Sequence, residues 1–597
     1  MKAETPEIKG VFKNSTILRI PFFQRQYVWG ETEWTRFAND MEALVDLRKK
    51  YFLGSLIFKV EPLTDEEDAY GVSDKYTVID GQQRLTTLSI YLKALCSCLT
   101  DDQLKRDFQS YFFIRNGHQD PVLYHSINDR TAYQEVMWGN PLSDYQDKKV
   151  VMAYNFFKEK FKNRGSDELR ILWNKIFSRI RFVTIILGPE DDEQQIFDTI
   201  NSLGVDLTID ELMKNFLYEV NDEEAYVNNW KPVFDDEVSR EFWGTSDAAR
   251  RQAATDENKV ITNFFYDFVR IKMCDFIGQK GFDKKTFVQK SQIFSTCKAF
   301  VELFHTSKQD LANEIIEYAK LYKKHLDKKS LNIRVPMTPG IERVACIAMA
   351  KDSTITPYLL YVLKNVPNLK EQNKIFGFLE TYLVRRMVGL PSSANKMSTE
   401  FYPEQLVAKR IDTYDKLRKY IEDIDDDKNM HMPSDQELAS SIHHTTFNDE
   451  SIPRLIYYLQ ETKIRYQHTG GYNYFLAEYI MPKPCKASAG NYPPHQDEML
   501  ERVRQTRTKT LGNLILLAKP QVKDDDDREK DEQVIMVKTL KKASNDVFSE
   551  KKKTLCKYIT NIICSNWFEK KIKWDENEIQ DRNKGLISTV IPKIWPL

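Results

Sequence analysis

The chain has 597 residues, 41% hydrophobic and 29% charged, and its 87 Lys and Arg against 88 Asp and Glu leave a net charge of −1. That length exceeds what one hydrophobic core organises, so several domains are expected, and the charge balance excludes a globally basic nucleic-acid binder while leaving room for local basic patches. Eight cysteines are too sparse for a disulfide framework or a four-cysteine zinc site. No apolar run reaches the ~18 residues a membrane span needs, and Met1 to Glu7 lacks the apolar stretch of a signal peptide, so a cytoplasmic protein with no membrane partner is expected.

In chain order, Ile17 to Trp29 is β-rich and places Gln24 and Arg25 among large aromatics, a candidate anion or base contact. Trp34, Phe37, Met41, Leu44 and Leu47 recur at helical steps and predict an amphipathic helix over 33–49. Residues 51–60 read as a strand kinked at Gly54, and 61–75 as a polar loop. Tyr76 to Ile79 are β-formers, Asp80-Gly81 marks a turn, and Leu85, Leu88, Tyr91, Leu92 and Leu95 continue at helical spacing. A strand, a tight Gly81 turn and a helix N-terminus favour an anion, and Arg84 in the first turn can fork onto a phosphate or carboxylate. Gln82 and Gln83 add neutral donors and acceptors. The plainer reading is a βα corner whose Arg84 pairs with a nearby acid.

After a strand at 182–187 and a short helix around 194–200, Asn201 to Asn215 carries a Gly204 turn, a Thr208 cap and Glu211 in capping-box position. Capping accounts for most of it; on the functional reading Asn201 and Lys214 complete a polar pocket with the Gln-Arg segments. From Trp230 to about Tyr420 helical periodicity dominates, with helices expected over 258–270 and 282–300. Residues 421–432 read as a linker, and the four aspartates at 524–527 as an exposed loop. Near the end, Phe475 to Pro482, Thr510 to Leu517 and Ala543 to Lys551 suggest a ββα element, the middle segment forming a Gly-Asn turn inside a strand pair. Arg502, Arg504, Arg507, Lys509 and Lys551 make this the best local phosphate-binding surface.

Ile20-Pro-Phe-Phe-Gln-Arg25 with Trp29, Phe52-Leu-Gly54, Val78-Ile-Asp-Gly-Gln-Gln-Arg-Leu-Thr-Thr87, and Asn201-Ser-Leu-Gly204 with Leu212-Met-Lys-Asn215 resemble the N-terminal domain of the GmrSD-like type IV restriction endonucleases. The later segments resemble that family's HNH domain, so the resemblance spans nearly the whole chain. It implies an α+β multidomain protein: a ParB/sulfiredoxin-like α/β domain over 1–225, an α-helical middle over 226–430, and an HNH-like ββα domain over 431–597. It implies binding and hydrolysis of a nucleoside triphosphate (GTP, UTP, CTP or ATP) by Gln24, Arg25, Asp80, Gly81, Gln82, Gln83, Arg84, Asn201 and Lys214, with Asp80 and Arg84 as catalytic residues. It further implies cleavage of modified double-stranded phage DNA with Mg²⁺ or Mn²⁺, held by Glu478 and Asn513, with Asn545 matching the third nuclease motif. A second copy of the chain and a further defence-system protein are candidate partners.

The chain departs from the family at the nuclease motif, where relatives place a histidine directly after the glutamate. Here Tyr479 follows Glu478, and a phenol with a pKa near 10 is a poor neutral-pH base beside an imidazole near 6.5. His495 offers a substitute base, although a surface histidine explains it as well. Two functions therefore stand open: an NTP-licensed nuclease, and a nucleotide-gated DNA sensor whose nuclease has decayed.

Overall fold

The computed structural model describes residues 2–46, 49–69, 71–114, 120–139, 145–188, 208–219, 222–244, 259–280, 289–351, 354–390, 403–423, 431–447, 450–464, 470–482, 496–520, 526–543, 548–559 and 568–597. It divides into two compact units, Met1–Asp236 with Ser307–Ala312, and Glu237–Thr306 with Asn313–Leu597. Among the described residues, no helix is long and apolar enough to cross a membrane.

The first unit runs β1 (Lys2–Glu4), α1 (Ile8–Val11), β2 (Thr16–Arg19), α2 (Glu31–Ala43), β3 (Tyr51–Val60), α3 (Asp65–Ala69), β4 (Asp74–Asp80), α4 (Gln82–Cys98), α5 (Asp102–Phe112), β5 (Leu123–Tyr124), α6 (Arg130–Trp138), α7 (Lys149–Phe161), α8 (Ser166–Arg179), β6 (Ile180–Leu187) and α9 (Ile209–Leu217). Its six-stranded sheet has the order β1-β6-β3-β4-β2-β5. β6/β3, β4/β2 and β2/β5 pair in parallel, β1/β6 and β3/β4 antiparallel. Within the stretch expected to be a polar loop, α3 forms and β4 begins two residues ahead of Tyr76. The kink at Gly54 is a bulge: Phe52 pairs with Arg181 and Gly54 with the very next residue, Phe182.

Helix α4 is buried from Gln82 through Cys96 apart from Arg84, as expected of a helix apolar on most of its faces. Tyr91 on α4 meets Phe157 of α7 edge-on at 5.0 Å and Phe161 at 5.1 Å. Full burial of a Leu or Phe side chain contributes about 1.5–3 kcal/mol, and α4 places Leu85, Leu88, Leu92 and Leu95 at 0% exposure. The corner ahead of it is thus held by a deeply packed helix.

The second unit runs across residue 430, and hydrogen bonds tie its middle helices to its C-terminal segments, which also hold a hydrophobic cluster of their own around Ile480, Leu517 and Phe568. Arg343 on helix Ile341–Lys351 grips Glu380 on helix Leu369–Gly389 with two 2.8 Å hydrogen bonds. Both side chains are fully buried. Arg343 also donates to the Leu459 carbonyl and to Thr462 on helix Ser451–Ile464, and the Trp595 indole donates to Glu380. Burial pushes the Glu380 carboxyl up, but the hydrogen bonds and charge of Arg343 outweigh it and hold the group below the usual range. Arg385 adds bonds to the carbonyls of Pro433 and Trp595 and to Asp435. Composition alone placed a linker at 421–432, yet helix Tyr414–Asp423 runs into it. Likewise Asp526 and Asp527 open helix Asp526–Ala543 instead of lying in a loop.

Candidate functional site

Asp80 is the last residue of β4 and Gly81 caps α4 with φ +102°. The left-handed conformation and a 2.3 Å approach of any Cβ to Leu56 Cδ2 exclude other residues there. The guanidinium of Arg84 donates to Asp80 Oδ2 at 2.8 Å, and the two side chains are 24% and 30% exposed. A Cβ on Gly54, whose φ is +126°, would lie 2.1 Å from Arg84 Nη1. Gly54 therefore clears the path of the guanidinium across β3. A positive-φ glycine inside a β-pattern was the available signal; its relation to Arg84 was not legible.

The three glutamines of the motifs bind backbone. Gln24 donates to the carbonyls of Val78 and Ile79 at 2.8 and 3.2 Å, pinning the end of β4. Gln82 donates to the Arg25 carbonyl at 2.7 Å. Gln83 donates to the Gln26 carbonyl at 3.3 Å and accepts from the Val28 amide at 2.9 Å. Residues 24–28 are thereby stitched to the corner. A buried chain continues inward: the Trp34 indole donates to the Tyr27 hydroxyl (2.8 Å), which contacts Thr87 Oγ1 (2.7 Å), which donates to the Gln83 carbonyl (2.7 Å). The Tyr27 amide donates to Asp129 at 2.6 Å, a partner 102 residues away that no local pattern announced. Arg25 is half-buried, and among the described residues its guanidinium has no hydrogen bond or ion pair.

Lys214 has a partner of its own, in a cluster whose Tyr226 ring lies 5.0 Å from the Phe22 ring. Its ammonium pairs with Asp235 at 2.9 Å, both side chains are at most 5% exposed, and the Tyr226 hydroxyl donates to the same carboxylate at 2.6 Å. The Thr208–Glu211 capping box that starts α9 is present. Asn201 and Gly204 lie outside the described residues.

In the second unit β7 (Phe475–Tyr479) and β8 (Leu514–Ala518) pair antiparallel with Glu478 opposite Ile515. After the intervening helix Asp526–Ala543 comes helix Phe548–Cys556, and the Ala518 amide bonds to the Tyr558 carbonyl at 2.9 Å, bringing the end of that helix against the strand pair as a ββα element. Gly512-Asn513 is not a hairpin turn: it forms a single 3₁₀ turn just before β8. Asn513 is fully buried, and its carboxamide accepts from the Met481 amide (2.9 Å) and the Trp574 indole (3.0 Å) and donates to the carbonyls of Met481 and Thr508 (2.7 Å each). That uses the four bonds a carboxamide can make. Asn513 is a clamp where a metal ligand was expected.

Glu478 is on the partly exposed face of β7 with 27% of its side chain accessible, and the Lys551 ammonium, 3% exposed, is 3.8 Å from it. Lys551 was expected to contact DNA; burial places it beneath the carboxylate. Tyr479, one residue on, points the other way, is 5% exposed and donates its hydroxyl to the Phe447 carbonyl at 3.2 Å. Of the expected DNA-binding arginines, Arg504 pairs with Glu576 and Arg507 donates to the Glu576 carbonyl, while Arg502 is exposed. His495 and Asn545 lie outside the described residues. No cluster of three or more His, Cys, Asp or Glu fit to hold a metal occurs among the described residues. Mg²⁺ is commonly held by one or two carboxylates together with substrate phosphates, and Glu478 meets that minimum.

Two family models match the chain: GmrSD restriction endonuclease, N-terminal domain, over residues 8–218, and GmrSD restriction endonucleases, C-terminal domain, over residues 432–589. The first spans the Gln24, Asp80 and Arg84 corner and the second spans Glu478, Asn513 and Lys551. No curated protein matches the chain.

Proposed function

We propose that this chain, which belongs to the GmrSD-type restriction endonucleases, binds a nucleoside triphosphate at the Asp80–Arg84 corner and thereby licenses nicking of modified phage DNA at the Glu478 strand. The observation that carries the reading is the half-open Asp80–Arg84 pair beside Arg25. Asp80 fixes one edge of the Arg84 guanidinium and leaves its Nη1 over Gly54. A fixed guanidinium, a second one with no acid partner and the first amides of α4 form a suitable cradle for phosphates. Asp80 is also placed to orient an attacking water.

At the second site Glu478 would hold a divalent cation, which would supply charge neutralisation at the scissile phosphate. Lys551, 3.8 Å from the carboxylate, adds positive charge there. Nicking of modified and unmodified phage DNA, with each NTP and with Mg²⁺ or Mn²⁺, tests the reading; NTP-dependent nicking of modified DNA that Glu478→Ala abolishes is the expected result.

One observation favours the second reading, a nucleotide-gated DNA sensor. Tyr479 stands where relatives have their histidine, and its buried hydroxyl is spent on the Phe447 carbonyl. If the parent protein is silent and Tyr479→His nicks, the nuclease scaffold is intact but disarmed, and sensing or recruitment of a partner protein is the function.

A further inference from the structure

Beside the nuclease strand, on its Leu476–Ala477 segment, is a cavity of about 410 Å³ that Glu450, Ser451 and Arg454 also line. Arg454 lies on the first turn of helix Ser451–Ile464, its guanidinium over the Tyr472 ring at 4.0 Å. One Nη donates to the Phe475 carbonyl at 3.4 Å, and the Nε is buried with no acceptor. A second cation stands nearby: Lys519 donates to the Asn473 carbonyl at 2.6 Å, and burial, then repulsion from Arg454, pushes its ammonium pKa down. Among the described residues neither cation has an ion pair.

Two cations held close without a paired acid cost free energy unless an anion joins them. The helix N-terminus at Ser451 adds its own preference for negative charge. The guanidinium, stacked on Tyr472 and only partly buried, lines the cavity, where it can meet an acceptor. Glu450 at the rim works against an anion and tunes the slot toward weak, exchangeable contact. Leu476 and Glu478 share the partly exposed face of β7, and two residues along a strand span about 7 Å.

We propose that the Arg454 cavity is a backbone-phosphate subsite that holds the DNA strand one step away from the bond that Glu478 addresses. The inference deepens the proposed action on DNA and rests on it for the identity of the anion.

The test is the salt dependence of duplex DNA affinity, measured without NTP or metal on the full chain. One lost phosphate contact lowers the slope of log affinity against log salt by about 1. Arg454→Gln is expected to show that loss and Arg454→Lys to retain the slope, with melting curves confirming that both fold. Glu450→Gln, which removes the rim carboxylate, is expected to tighten DNA about threefold, the size of one exposed charge contact. An unchanged slope in folded Arg454→Gln overturns the proposal, and if that variant does not fold, an unchanged affinity in Glu450→Gln does so. Calorimetry with inorganic phosphate separates the two sources: Arg454-dependent phosphate binding with an unaltered DNA slope overturns the DNA assignment. Nicking that fails while the slope changes as expected sinks the cleavage reading and leaves the subsite standing.

Discussion

At the Asp80–Arg84 corner three glutamines tie backbone to backbone while Asp80, Arg84 and Arg25 stay partly open. At the Glu478 strand a single asparagine does the tying, and one carboxylate over one buried lysine remains. In both regions a motif mixes scaffold with chemistry, and burial tells the two apart: Gln24, Gln82, Gln83 and Asn513 are at most 9% exposed, and each bonds to main chain. A carboxamide suits that role because it donates and accepts without a charge to desolvate. The open residues are all charged.

That contrast is broken most severely at Asn513. Asn513→Ala strands four buried hydrogen-bonding groups and is expected to cost about 4 kcal/mol, read as a lowered denaturation midpoint of the second unit. A loss under about 1 kcal/mol would return the residue to the status of a free ligand.

The next effect probes the scaffold of the first unit through pH. His125 is fully buried, contacts Thr86 Oγ1 at 2.9 Å, lies 3.8 Å from Asp129 and 5.0 Å from the Tyr133 ring, and burial, opposed by Asp129 and aided by Arg130, pushes its pKa down to about 4. Between that value and the unfolded 6.5, the unfolded chain binds the extra proton, so stability falls as pH falls through this window. The loss is expected to reach about 2 kcal/mol near pH 5, and His125→Gln should flatten the thermal midpoint over that range.

The smallest effect on stability belongs to the open pair. Arg84→Ala removes a partly exposed ion pair worth under about 1 kcal/mol, yet NTP turnover is expected to vanish. Turnover that survives in Arg84→Ala would make the corner scaffold throughout, like its glutamines.

Much of this was legible before folding. The β3 span, the strand-turn-helix at Asp80, the capping box at Thr208 and the presence of a ββα element follow from periodicity and turn chemistry, which act over neighbouring residues. The plainer reading of Arg84, pairing with a nearby acid, is present as the Asp80 contact one helical turn away. Sequence by itself therefore determined where the polar motifs lie and which local elements carry them. Tertiary structure decided which internal partner each polar group has: Val28 for Gln83, Asp235 for Lys214 and Glu478 for Lys551. It also decided that Gly54 makes room for Arg84 and that Glu380 and Arg385 bond to Trp595 more than 200 residues on. The physical reason is the same in each case. A buried polar group must find a partner, and the partner that satisfies it is set by contacts across tens to hundreds of residues, which no local pattern encodes.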